Sequence, residues 1–280
     1  MGFSRRLPSE GRPLTVSSPA HVRPTPLVIA HRGASASAPE NTCQALASAI
    51  DAGADMVEVD VQLTRDSHAV VFHDWNLARL ASRTGYSPRQ LKSLGVGDVD
   101  LDELQRFDVG SWKDRKFAGL RIPSLSELLG HARGRIALNL ELKIPDRGIG
   151  ERPLRHGLIR ELRNAFTLSP ARDLILISSF DRTVLELARE ASAEWRLGIL
   201  PQRGGVQATI ELAERLQAWS VHLPCRNMSL SVVRHIHDRG FLVFAYTADS
   251  PHLLHRLIDA GVDGIFTNDP HRLRALIQAL

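Results

Sequence analysis

Short apolar runs rich in Val, Ile and Leu alternate along this chain with stretches whose apolar residues recur every three to four positions. Continuous apolar runs are how strands read when both faces are buried, and the wider spacing is that of amphipathic helices. Together they predict a parallel sheet covered by helices. Eight strands are expected: Leu27 to His31, Met56 to Thr64, Arg135 to Lys143, Leu174 to Ser179, Trp195 to Leu200, Ser220 to Leu223, Leu242 to Thr247 and Gly264 to Thr267. Helices are expected over Asn41 to Ala52, Ser124 to Ala132, Arg155 to Ala165, Arg182 to Ala191, Gln207 to Leu216, Ser231 to Asp238, Pro251 to Ala260 and Pro270 to Leu280. Successive strand and helix units of this number predict an α/β protein of the (β/α)8 TIM barrel class.

Two features interrupt the alternation. The run Ala69 to His73 follows the second strand after only a polar turn, so it reads as a hairpin return centred on Asp66 and Ser67, with His73 roughly opposite Asp60. The stretch 75–121 is too long for a simple strand-to-helix loop and contains a short helix around Leu101 to Gln105. It is expected as a small insertion after the second barrel strand, shaping the pocket on the face where barrels carry functional loops. Residues 1–26 mix Arg, Pro and Ser without apolar periodicity and are expected to be a disordered arm, leaving 27–280 as one barrel domain.

Composition changes this picture little. A hydrophobic fraction of 43% over 280 residues is ample for a core. No apolar run approaches the roughly 20 residues of a membrane span, and the arm has no apolar signal region. Arg6 stands where a myristoylation signal needs Ser or Thr. No stable membrane insertion is expected, and a cytoplasmic location is. The net charge of +4 suits an anionic ligand, but the arginines are scattered and no nucleic-acid motif accompanies them, so a nucleic-acid partner is not expected. Cys43 and Cys225 are too few for a disulfide framework and lack metal or redox spacing. Nothing in the pattern addresses oligomeric state.

The candidate chemistry sits at strand ends. Glu58 and Asp60 are two apart on a strand and share a face, while Val57, Val59 and Val61 take the other. Like charges flanked by valines repel unless a cation or base lies between them. Glu141 and Lys143 repeat the arrangement on the next barrel strand. Three carboxylates on adjacent strands make an oxygen-rich site suited to Mg²⁺ or Ca²⁺ rather than Zn²⁺. Taken singly, each acid reads equally well as a solvated strand end or an ion-pair partner. His31 ends the first strand and is followed by Arg32, whose fork matches phosphate oxygens, and by Gly33, which permits a sharp turn. His73 ends the hairpin return beside Asp74. Histidines on either side of a carboxylate-held metal are what proton-in, proton-out phosphodiester cleavage needs. The remaining histidines follow no ligand spacing and most are expected in solvated or turn positions, and Trp112, Trp195 and Trp219 as core or rim packing.

The segments His31-Arg32-Gly33, Pro39-Glu40-Asn41-Thr42, Glu58-Val59-Asp60-Val61-Gln62-Leu63-Thr64 and His73-Asp74 resemble, in order and spacing, the signature of glycerophosphodiester phosphodiesterases. The likeness continues through Phe107 to Trp112, Ile122 to Leu125, Glu141-Leu142-Lys143, Ser178 to Asp181 and Gly261 to Pro270. It implies a (β/α)8 barrel that hydrolyses a small-molecule glycerophosphodiester to glycerol 3-phosphate and an alcohol. By the same resemblance His31 and His73 would be the acid-base pair, Glu58, Asp60 and Glu141 the ligands of a divalent cation, and Arg32 and Lys143 the phosphate contacts. Glu40 is explained as part of a helix cap and left out of the metal set. One departure is Tyr246-Thr247-Ala248-Asp249, where family members usually carry Trp-Thr; an aromatic face remains, with an added hydroxyl. Two other readings stand beside this one: a lysophospholipase D-like lipid phosphodiesterase, and a non-catalytic barrel binding phosphorylated ligands.

Overall fold

A computed structural model describes residues 25–83, 87–145, 151–168 and 172–279. Its strands are β1 (Leu27–His31), β2 (Met56–Leu63), β3 (Ala69–Val71), β4 (Ala137–Leu142), β5 (Ile175–Ser179), β6 (Arg196–Ile199), β7 (Ser220–Pro224), β8 (Leu242–Tyr246) and β9 (Gly264–Thr267). The helices are α1 (Cys43–Asp51), α2 (Pro88–Lys92), α3 (Leu101–Leu104), α4 (Leu125–Ala132), α5 (Glu151–Leu168), α6 (Arg182–Ala191), α7 (Gly205–Arg215), α8 (Leu230–His237), α9 (Pro251–Asp259) and α10 (Pro270–Gln278). All strands but β3 run parallel in the order β1-β9-β8-β7-β6-β5-β4-β2, and β1 pairs with β2 to close the barrel. The eight expected barrel strands are all present: β1 and β9 keep their expected bounds, β7 runs one residue further, and the other five are trimmed. Helix α5 outruns its expected bounds, because apolar periodicity marks only the turns that pack. Of the N-terminal arm, only Thr25 and Pro26 are among the described residues. No helix among these residues is long and apolar enough to cross a membrane.

Strand alternation sorts the side chains into two cores. Val28, Val57, Val59, Leu138, Leu140, Ile177, Val221 and Val243 face outward, packed under the helices. Leu27, Ile29, Met56, Ala137, Leu176, Leu242, Phe244 and Phe266 face inward and fill the lower barrel. The inward rows end in polar residues: His31 above Ile29, Glu58 and Asp60 above Met56, and Asn139 and Glu141 above Ala137. Since side chains two apart share a face, the same alternation that builds the apolar floor delivers the polar groups to the C-terminal mouth.

Strand β2 is longer than its neighbour. It pairs with β1 only as far as Glu58, and β3 takes the edge that β1 leaves free, with Val61 opposite Val71. In this register Phe72 lies opposite Asp60 and donates its amide to the Asp60 carbonyl at 3.0 Å. His73 is therefore one position beyond the place expected from the turn, past the end of the paired strand. The insertion after β3 closes over its own apolar cluster, including Phe72, Leu77, Leu91, Leu104, Phe107 and Ile122. It contains α2 as well as the expected α3.

Candidate active site

At the mouth, β1 ends with His31 in register with Glu58 of β2. The chain then turns through Arg32, at φ 58°, and Gly33, at φ 79°. A Cβ on Gly33 would lie 2.6 Å from the carbonyl carbon of Ala45, so only glycine lets the turn sit against α1. Turned this way, the Arg32 amide donates to Glu58 Oε2 at 2.9 Å. Its guanidinium reaches Asp60 Oδ2 at 3.3 Å and Glu40 Oε1 at 3.2 Å.

Glu58, Asp60 and Glu141 each offer an oxygen within 4.8 Å of the others. Glu58 and Asp60 are 1% and 2% exposed, so their charges are largely desolvated. Burial, followed by the charges of Asp60 and Glu141, pushes Glu58 well above the ordinary carboxylate range. Burial and then Asp60 raise Glu141 to about 7. Burial opposes ionisation of Asp60 too, but Lys143 Nζ at 3.3 Å and Arg32 overcome it and hold this carboxyl below its usual range. Asn41 clamps the same residue, donating Nδ2 to Asp60 Oδ2 at 2.8 Å and accepting the Asp60 amide at 3.1 Å. Glu58 Oε1 is buried without a hydrogen-bond partner among the described residues. One paired acid, two acids with raised proton affinity and a buried carboxylate oxygen without a partner fit a hard divalent cation.

Two histidines complete the site. Asn268 donates Nδ2 to Asp249 Oδ2 at 2.6 Å, so its oxygen faces His31 Nδ1 at 2.8 Å. That network places the proton on His31 Nδ1 and leaves the Nε2 lone pair on the side of Glu58, 3.9 Å from Oε2. Burial and then the Arg32 charge lower the His31 pKa, favouring the neutral ring. His73 Nδ1 lies 2.9 Å from Asp74 Oδ1. Both rings, together with Arg32, Glu58, Asp60, Glu141 and Lys143, line one cavity of about 250 Å³ whose far wall is Phe180, Tyr246 and Phe266.

All seven residues expected in the site thus meet in one cavity. Those not expected there hold them in place. Thr42, not Asn41, caps α1, and Asn41 sits at φ 58° with its side chain on Asp60. Glu40 is an ion-pair partner of Arg32 and Arg79 rather than part of a cap. Asn41, Asn268 and Asp249 belong to segments quoted for the resemblance, Asp249 in the one that departs from it, whereas Arg79 carried no signal in spacing. His222 corrects the expectation of a solvated ring: it is wholly buried inside the barrel, against Ser220 Oγ at 2.8 Å. His237 is bonded to Asp263 at 2.7 Å. Trp112 is half exposed on the insertion, with Arg79 and Lys113 over its ring, the rim packing that was one of its two expected places. Burial, then the Glu141 charge, pushes the Tyr246 phenol up, so its hydroxyl stays protonated on the cavity wall.

Comparison with known proteins agrees with this geometry. The chain is 36% identical over 255 residues to a glycerophosphodiester phosphodiesterase of Caldanaerobacter subterraneus, covering 90% of this chain and 98% of that protein. It is 28% identical to a glycerophosphodiester phosphodiesterase of Bacillus subtilis, covering 87% and 84%. An Oleispira antarctica phosphodiesterase, solved in complex with the product sn-glycerol-3-phosphate, superposes with a TM-score of 0.80 at 30% identity, covering 91% and 97%. The sequence profile of the glycerophosphoryl diester phosphodiesterase family matches residues 31–272, from the first histidine of the site to α10. The chain therefore belongs to the glycerophosphoryl diester phosphodiesterase family and is a phosphoric diester hydrolase.

Proposed function

We propose that the enzyme hydrolyses small glycerophosphodiesters to glycerol 3-phosphate and an alcohol with a divalent cation, His31 as general base and His73 as general acid. The observation that carries this reading is the convergence of two histidines, two cationic side chains and three carboxylates in one cavity at the barrel mouth. Glu58, Asp60 and Glu141 would hold Mg²⁺ or Ca²⁺, which when bound supplies positive charge toward the phosphate oxygens. Arg32 and Lys143 supply further positive charge from the protein side and orient the diester.

His31 is suited to take a proton because its Nδ1 is committed to Asn268 and its Nε2 carries the lone pair. It removes the proton of the attacking oxygen, which is a water or the 2-hydroxyl of the substrate's own glycerol. The new P–O bond forms as the bond to the alcohol breaks, and His73, with Asp74 favouring a proton on Nδ1, donates its Nε2 proton to the departing oxygen. Attack by the 2-hydroxyl yields a cyclic phosphate that water opens in a second round.

A phenolic leaving group tests the division of labour. His31→Ala and His73→Ala should each lower turnover of a choline ester of glycerol phosphate by roughly a hundredfold or more. A nitrophenyl ester needs no protonation of its departing oxygen, so it should restore His73→Ala and not His31→Ala. Equal restoration of both, or of neither, would overturn the assignment. A second reading, hydrolysis of lysophospholipids, has one observation in its favour: Trp75, Trp112 and Phe180 are 45%, 48% and 50% exposed. Phe180 lines the cavity, and Trp75 and Trp112 stack beside Lys143 and Arg79. Turnover of lysophospholipid micelles at a rate matching the deacylated diester would favour it.

A further inference from the structure

The insertion sends one charged side chain back toward the acid-base pair. Arg79, in the 3-10 turn Ala78–Arg83, places Nε 2.7 Å from Asp74 Oδ2 and Nη2 2.7 Å from Glu40 Oε1. The other oxygen of Asp74 lies against His73 Nδ1 at 2.9 Å. Trp112 backs the guanidinium, its ring centre 5.5 Å from Cζ, and on the same ring lies the ammonium of Lys113, which bonds the Ser35 carbonyl beyond β1. Glu40 Oε1 also accepts Arg32 Nη1 at 3.2 Å, so one carboxylate joins the phosphate-facing arginine to the arginine behind His73.

We infer that Arg79 is a positioning residue for the general acid: held by Glu40 and Trp112, it fixes Asp74, and Asp74 fixes the tautomer and direction of the His73 ring. The inference rests on the assignment of His73 made above. Asp74 follows His73 directly, past the paired end of β3, where Gln62 Nε2 of β2 holds its carbonyl at 3.0 Å but not its carboxylate. A lone carboxylate there would be free to rotate, and a guanidinium that grips both it and Glu40 removes that freedom. The side chains of Arg79, Asp74 and Glu40 are 35%, 27% and 18% exposed, so the pairs are better shielded than a surface ion pair. Glu40, His73 and Asp74 also have the spacing of a cation site. With guanidinium groups already on both carboxylates, that charge is met by protein.

The test is steady-state kinetics of the full-length enzyme and of Arg79→Met, Arg79→Lys and His73→Ala on the choline and nitrophenyl esters of glycerol phosphate. If Arg79 acts through the acid, Arg79→Met should lose kcat on the choline ester by roughly tenfold or more, within the range of general-acid effects. The loss on the nitrophenyl ester should be several times smaller, as it is for His73→Ala. Arg79→Lys, which can grip one carboxylate at a time, should fall between wild type and Arg79→Met. It carries the test by itself if the methionine variant fails to fold. Equal losses on the two esters, or no loss, would show that Arg79 only staples the insertion to the barrel. A His73→Ala variant that shows no preference between the esters would instead sink the assignment of His73 as the acid, an outcome visible without any Arg79 variant.

Discussion

Gly33 brings its backbone so close to α1 that a side chain there would meet the Ala45 backbone at 2.6 Å. Gly33→Ala would combine that overlap with a φ of +79°, and should destabilise the fold by about 2 kcal/mol or more, read as a lowered urea midpoint. Because the same turn aims the Arg32 amide at Glu58, weaker cation binding should accompany it. His222 gives a prediction in pH. Burial inside the barrel lowers its pKa to about 3, so the folded protein keeps this ring neutral while an unfolded chain protonates it near 6.5. Its contribution to stability is complete above about 6.5 and is lost as the pH falls from there toward 3, by up to about 1.4 kcal/mol per pH unit. Denaturation midpoints of wild type and His222→Asn across that range should converge toward acid pH. Parallel curves would mean that the ring is not shielded as the structure shows.

At the level of elements, the hairpin return and the insertion decide more than pocket shape. Strand β3 takes the edge that β1 leaves open on β2 and carries His73 to the mouth, and the insertion supplies Arg79 behind it. Replacing 76–115 with a short linker should leave a barrel that still unfolds in one cooperative thermal transition. Turnover of a choline ester should nevertheless fall by roughly tenfold or more, the scale set for losing the support of the acid. A deletion that changed only the preference among alcohols would show that the insertion shapes the pocket and nothing else. The strands and helices themselves were legible because buried parallel strands and amphipathic helices leave different apolar periods. The register of the hairpin was not: turn residues alone left His73 one position off, since the pairing is set by how Val70 and Phe72 pack under the insertion.

For the whole molecule, the proposed cation site on the three carboxylates predicts that activity and stability depend on the ion. Exhaustive chelation should reduce hydrolysis to background, and Mg²⁺ or Ca²⁺ should restore it better than Zn²⁺, because the protein ligands are all oxygens. The same ions should raise the unfolding midpoint, by about 2.7 kcal/mol of stabilisation at a hundredfold excess over Kd. Full activity after chelation, with no shift in the midpoint on adding either ion, would remove the cation from the mechanism.

The amino-acid sequence by itself determined the barrel, its strand order in outline, and the identity of the residues at its mouth. Alternation on each strand forces Glu58 and Asp60 to one face, and a run of strand and helix units of this length has few other ways to bury its apolar surface. What only the tertiary structure decided is which remote groups fix those residues: Asn41 on Asp60, Asn268 and Asp249 on His31, Arg79 and Glu40 around Asp74. These partners come from loops far apart in the chain, and a hydrogen bond across such a distance leaves no period to read. The groups that face the two imidazoles belong to the same level, because the partner of each Nδ1, Asn268 for His31 and Asp74 for His73, is brought there by the closure of the barrel and the end of the hairpin.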